Sequence, residues 1–237
     1  MTFNITSPIK SVVIFGVTGA TGQALLYELL NNSRIEKVTV VTRKSLYLEN
    51  SKFHEVLLSD FSTLKEYEEQ LHADVYFCCI GTTIKKAGNK EQFRNVDYKI
   101  PVAIAKLAEQ LSVSQLFVVS SVGSNPKSSN FYLRTKGEME RDVRKNYSGN
   151  IRIVRPSLLI GTRDEIRIKE RFAIILMKLV GWMFVGTFRK YKSIRTTTLA
   201  KAMMSVAFSA YEKSIYESDE LHAIGKRERT YRKEEYS

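Results

Sequence analysis

The sequence predicts an α/β protein built on a doubly wound parallel sheet. Three observations carry that prediction. Six short, β-branched, apolar runs alternate with helical patterns; the first run leads straight into three closely spaced glycines; and the composition is that of an ordinary globular chain. Of the 237 residues, 43% are hydrophobic and 26% charged, which excludes a mainly disordered or collagen-like chain.

Taken in order, the strands are SVVIF from Ser11, KVTVVT from Lys37, HEVLLS from His54, DVYFCCI from Asp74, QLFVVSS from Gln115 and IRIVRPS from Ile151. Between them lie TGQALLYELLNN, FSTLKEYEEQL, NKEQFRNVDYKIPVAIAKLAEQL and NFYLRTKGEMERDVRKNY, where apolar residues recur at three and four positions, the period of a helix with one buried face. The pattern changes after Pro156. FAIILMKLVGWMFVG, from Phe172, is the most apolar helical stretch, but Lys178 interrupts it and it is shorter than the ~20 residues of a membrane span. It reads as a helix that covers the sheet or lines a pocket. SIRTTTLAKAMMSVAFSAYE reads as a short extended piece and then an amphipathic helix, with Ala200, Met203, Met204, Ala207 and Phe208 on one face.

Charge and cysteine content narrow the function classes. The formal net charge is +12 and the pI about 9.6, a balance that invites a nucleic-acid reading. The basic residues are nevertheless spread along the chain, and in the terminal GKRERTYRKEEYS they alternate with Glu228, Glu234 and Glu235. That segment reads as a solvated or frayed end, and nucleic-acid binding is disfavoured. Cys78 and Cys79, the two cysteines, are neighbours on one strand and so face opposite ways. No disulfide framework or metal site is expected from them. MTFNITSPIKS carries no apolar leader core, and a cytoplasmic protein is expected.

The glycines stand as Gly16-x-x-Gly19-x-x-Gly22 between a strand and a helix. Gly16 permits a sharp turn, Gly19 lets the backbone approach a ligand, and Gly22 lets the helix pack on the strand. With Thr18, Ala20 and Thr21 they form a loop whose N–H groups, with the helix N-terminus, suit a pyrophosphate. The lysine of a P-loop is missing, so nucleoside triphosphate hydrolysis is disfavoured. The fold is then a Rossmann fold, with residues 1–155 as its cofactor-binding core and 156–237 as a small substrate-side elaboration of a single domain. At the end of the second strand, where an NAD site carries an acid for the ribose 2′-hydroxyl, the chain has Arg43 and Lys44, which suit a 2′-phosphate and predict NADP(H). Asp60 could accept from the adenine amino group or cap the following helix. Gly81 and Thr82 fall at the carboxyl end of the fourth strand, where open α/β sheets bind ligands.

Candidate chemistry lies at Ser120-Ser121, which end the fifth strand, and at Tyr132-Leu-Arg-Thr-Lys136 on the next helix. Residues four apart share a helix face, so the Tyr132 hydroxyl and the Lys136 ammonium can enter one cleft. A carbonyl that accepts hydride develops negative charge on oxygen and needs a proton there. Free tyrosine, with a pKa near ~10, exchanges protons poorly at neutral pH; a neighbouring ammonium favours its phenolate, and a serine hydroxyl stabilises the same oxygen.

These motifs together resemble the short-chain dehydrogenase/reductase superfamily in its atypical NAD(P)-binding branch. CCIGTT, KKAGNKEQFRNVDY, VVSSVGSNPKSSNFYLRTKGEME and RPSLLIGTRDE are similar to segments of the Tat-interacting-protein-like NADPH oxidoreductases. The turn GVTGATG departs from the G-x-x-x-G-x-G of the better-known branch. The resemblance implies NADPH as cofactor and a catalytic Ser121, Tyr132 and Lys136, with Ser121 preferred over Ser120 because the second serine of such a pair usually serves. It also implies that Lys136 binds the nicotinamide ribose and that Pro156 and Leu158 flank the nicotinamide. Asn95 is the counterpart of a water-holding asparagine or else a helix cap. Arg163, Arg167 and Arg171 could edge the pocket, although Asp164, Glu165 and Glu170 point to an exposed, salt-bridged segment.

The expected function is NADPH-dependent reduction of a small carbonyl compound, or oxidation of the alcohol, by a monomer or homodimer. The alternative is an NADP(H)-binding redox sensor or regulatory protein without turnover.

Overall fold

The computed structural model describes residues 8–161, 193–209 and 213–234. The chain opens with β1 (Ser11–Phe15), α1 (Ala20–Leu30), β2 (Lys37–Thr42), β3 (Phe53–Leu57), a 3-10 helix (Phe61–Gln70) and β4 (Val75–Cys78). There follow α2 (Ile84–Ala87), α3 (Lys90–Arg94), a π-helical turn (Asn95–Lys99), α4 (Ile100–Gln110), β5 (Gln115–Val119), α5 (Phe131–Asn146) and β6 (Asn150–Arg155). The remaining elements are β7 (Leu159–Ile160), β8 (Ile194–Arg195), α6 (Thr196–Phe208), β9 (Ile215–Glu217) and α7 (Ser218–Glu234).

Seven strands form one parallel sheet in the order β3-β2-β1-β4-β5-β6-β9, while β7 and β8 pair with each other. The order reverses between β1 and β4, which creates the crevice at the carboxyl ends where doubly wound sheets bind ligands. The central strands are buried on both faces, and this is why they read as continuous apolar runs. Along β1, Val12 and Ile14 face one core with α1 and α6, while Val13 and Phe15 face the other with α4 and α5. Cys78 and Cys79 divide in the same way and are free thiols. Asp74 anchors the start of β1, accepting from the N–H groups of Lys10 and Ser11 at 2.9 and 2.8 Å.

Several expectations change on folding. FSTLKEYEEQL forms a 3-10 helix in which Leu64 is the buried residue, so little apolar face holds it in a regular α-helix. The long helical segment from Asn89 is broken by the π turn. Pro101 stands within it and has no N–H for the carbonyl four residues back, and the widened turn absorbs the mismatch. Asn95 therefore stands at the junction of α3 and the π turn, where it closes α3 and its side-chain oxygen caps no helix start; Asn89 does that capping, with its Oδ1 accepting from the Gln92 N–H at 2.8 Å. A seventh strand, β9, adds to the edge at β6. The terminal segment from Gly225, read as a solvated or frayed end, has a helical backbone as far as Glu234. The apolar stretch from Phe172, with Arg163, Asp164, Glu165, Arg167, Glu170 and Arg171, lies outside the described residues.

Candidate functional site

The glycine turn joins β1 to α1 against the end of β4. Gly16 has φ +84, and a Cβ there would come within 2.8 Å of the Cys79–Ile80 backbone; one on Gly22 would come within 2.3 Å of the Gly16 carbonyl oxygen. Both positions require glycine. Gly19 is the N-cap of α1 and has no side chain with which to occupy the first-turn N–H groups. Thr18, Gly19 and Ala20 are exposed, whereas Thr21 and Gly22 are buried against the sheet. No acidic residue stands in that turn, so the helix N-terminus presents an open, positive cradle whose shape and polarity fit a pyrophosphate.

Arg43 and Lys44 are exposed just beyond β2. The Thr42 hydroxyl donates to the Lys44 carbonyl at 3.0 Å and so folds the chain back at that point. Asp60 takes its capping role: Oδ1 accepts from the Ser62 N–H at 2.9 Å and Oδ2 from the Ser62 hydroxyl at 2.7 Å.

On α5, started by an Asn130 cap on the Leu133 N–H, Tyr132, Lys136 and Glu140 follow one another at helical spacing. The Tyr132 ring is half-buried and packs on Phe93, centroids 5.7 Å apart. Lys136 is 5% exposed, and its ammonium lies 2.7 Å from Oδ1 of Asp97, which is 1% exposed. Phe93 and Asp97 therefore hold Tyr132 and Lys136 in parallel, one pair by ring packing and the other by charge. The ammonium also sits beneath Gly81, 3.8 Å from where a Cβ would be. The second Asp97 oxygen accepts from the Thr82 N–H at 2.8 Å. Burial lowers the pKa of Lys136, but the Asp97 carboxylate, with Tyr132 adding to it, outweighs burial and raises it above the usual lysine value.

The two serines have different surroundings. Ser120 is buried; its hydroxyl donates to Glu140 Oε1 at 2.5 Å and lies 3.0 Å from that of Ser124. Glu140 in turn accepts from Arg155 at 2.9 and 2.5 Å, and Arg155 also reaches Glu217 on β9 at 3.1 Å. Ser121 is half-buried, with a weak 3.4 Å contact to the Val122 carbonyl. Pro156 adjoins this loop, its carbonyl accepting from the Val122 N–H at 3.1 Å, and Leu158 follows, half-buried. Asp97 and Glu140 were missed by sequence reasoning. Asp97 could have been noticed as an acid one turn beyond Phe93 on an otherwise apolar helix face, and Glu140 as an acid one turn beyond Lys136.

Sheet order, glycine cradle and open carboxyl-end crevice define the chain as a nucleotide-binding Rossmann protein. Residues 12–180 match the model of the NAD dependent epimerase/dehydratase family, and the chain belongs to that family. It is similar to Protein HTATIP2 of Rattus norvegicus, 36% identical over 167 residues that cover 69% of each chain, in keeping with the resemblance read from the sequence. It is also similar to Protein FMP52, mitochondrial, of Candida albicans, at 35% over 65% of this chain and 69% of the relative. The FMP52 of Debaryomyces hansenii is 28% identical over 91% and 94% of the two chains.

Among solved structures, MoeE5 in complex with UDP-glucuronic acid and NAD shares the fold with a TM-score of 0.65 at 17% identity, over 86% of this chain and 74% of that one. The oxidoreductase ylbE from Lactococcus lactis does so with a TM-score of 0.63 at 17% identity, over 91% and 97%. The fungal relatives, mitochondrial by name, overturn the expected cytoplasmic location. Among the described residues, no helix is long and apolar enough to cross a membrane.

Proposed function

We propose that the chain is an NADPH-dependent oxidoreductase of the atypical short-chain dehydrogenase/reductase type that reduces a small carbonyl compound. The observation that carries this reading is the buried, charged Lys136 beside Gly81, one helical turn from Tyr132, in the crevice that the glycine cradle opens onto.

When bound, the cofactor supplies hydride to the carbonyl carbon. Gly16, Thr18, Gly19, Ala20, Thr21 and Gly22 hold its pyrophosphate, Arg43 and Lys44 its 2′-phosphate, and Gly81, Pro156 and Leu158 border the nicotinamide half. Tyr132 delivers its phenolic proton to the carbonyl oxygen. Ser121, whose hydroxyl is not drawn into the Ser120–Glu140 network, donates a second hydrogen bond to that oxygen. Lys136 holds the ribose hydroxyls and favours the charge that Tyr132 acquires as it gives up its proton.

A panel of aldehydes, ketones and quinones, followed by oxidation of NADPH and of NADH, tests the proposal. Turnover with at least one compound, tighter binding of NADPH than of NADH, and a fall of about 10²–10⁴-fold in kcat for Tyr132→Phe with NADPH binding intact are expected. Cofactor binding with no turnover on the whole panel would favour the redox-sensor alternative. Unchanged turnover in Tyr132→Phe would remove the role given to that residue.

A further inference from the structure

Lys136 does not stand alone in its pocket. Asp97 lies 2.7 Å from its ammonium, both side chains are buried, and the same carboxylate receives the Thr82 N–H at 2.8 Å. One acid thus ties α5 to the loop after β4. It projects from the π turn beside Pro101, a kind of helix irregularity that recurs at functional sites. Burying an ion pair gains little stability over an apolar pair of the same shape, so stability alone gives a weak reason for it.

Seen from the Tyr132 hydroxyl, the ammonium arrives with a compensating negative charge. A bare ammonium draws the proton off a neighbouring phenol; one paired with a carboxylate does so less. Resting on the reductase reading above, we propose that Asp97 is the positioning residue of this site: it fixes the Lys136 ammonium and the Gly81–Thr82 loop in one place and keeps the Tyr132–Lys136 couple protonated, ready to donate.

The surroundings leave Asp97 as the group able to do this. Among the described residues, the other titratable group acting on Lys136 from a packed element is Cys78 on β4, and burial pushes its thiol up to about 11, so it stays neutral. Arg94 on α3 and Glu138 on α5 pair with each other at 2.5 Å. Removing the Asp97 charge makes loss of a proton from the Tyr132–Lys136 couple easier, whichever member gives it up.

Asp97→Asn tests this, because it keeps an oxygen for the Thr82 N–H and deletes the charge. The alkaline limb of the pH–kcat profile for reduction should move down by about one unit or more, so that the deficit against wild type widens as pH rises. A loss of rate that is the same at every pH would overturn the proposal. Asp97→Ser, smaller and also uncharged, carries the same expectation should the asparagine variant not fold. If the wild-type protein reduces no compound, the reductase reading fails, yet Asp97 is still tested by titrating phenolate absorbance. The Tyr132 contribution is obtained by subtracting the same titration with Tyr132→Phe, because the chain has 12 tyrosines. Ionisation of the couple at lower pH in Asp97→Asn supports the proposal; ionisation at the wild-type pH overturns it.

Discussion

Gly22 shows how much one missing side chain decides. A methyl group there would stand 2.3 Å from the Gly16 carbonyl oxygen and 2.8 Å from the Val17 Cα, both backbone atoms that cannot swing aside. Gly22→Ala should therefore push α1 off the turn, cost about 1–3 kcal/mol in denaturant unfolding, and weaken dinucleotide binding. An alanine variant with wild-type stability and affinity would mean that the cradle is not built on this contact. The three glycines were legible in the sequence because their spacing, flanked by a strand and a helix, is a local signal. The Asp97–Lys136 pair was not, since nothing in either residue's neighbourhood names the other.

At the scale of elements, α5 carries the candidate chemistry and is fastened at both ends of its buried face. Near the start Lys136 meets Asp97; a turn later Glu140 joins Ser120 at the end of β5, Arg155 on β6 and, through Arg155, Glu217 on β9. Gly137 lets the helix press on the loop below it, for a Cβ there would stand 2.3 Å from Asn125 and Pro126 backbone atoms. Glu140→Gln leaves Arg155, 19% exposed, without its principal counter-charge. A loss of about 3 kcal/mol in unfolding free energy is expected, near the lower bound for breaking a buried pair. A loss below about 0.5 kcal/mol would show that Glu217 alone satisfies Arg155. The network also engages the Ser120 hydroxyl and leaves that of Ser121 outside it, which is why the proposed function assigns the substrate contact to Ser121. The sequence offered both serines, and only the acid brought in from α5 separates them.

For the whole molecule, the same helix links its candidate site to acid stability. Asp142 is held down at about 2, first by hydrogen bonds from Arg141 and then by the Tyr98 hydroxyl at 2.7 Å, with burial working the other way. Exposed Asp60 and Glu109 are held below their usual values by N–H groups of Ser62 and Ser148, in the same direction. A carboxylate lowered by folding contributes stability that is complete above its unfolded pKa, near ~4, and is lost as pH falls through the folded value. The denaturant midpoint should thus decline from about pH 4 toward pH 2, and Asp142→Asn should flatten that decline. An identical decline in the variant would assign acid sensitivity to other groups.

The amino-acid sequence by itself determined the parallel α/β sheet, the succession of its first six strands along the chain, the glycine cradle and the one-turn spacing of Tyr132 and Lys136. These are written in periods of two and of about four residues, and such periods act between near neighbours. Tertiary structure decided which acids stand beside those groups, where the three-residue β9 attaches, and that the helical run from Asn89 widens into a π turn before Pro101. Those outcomes depend on which elements the sheet order sets side by side. A charge buried against a partner from another element carries no mark of that partner in its own stretch of chain.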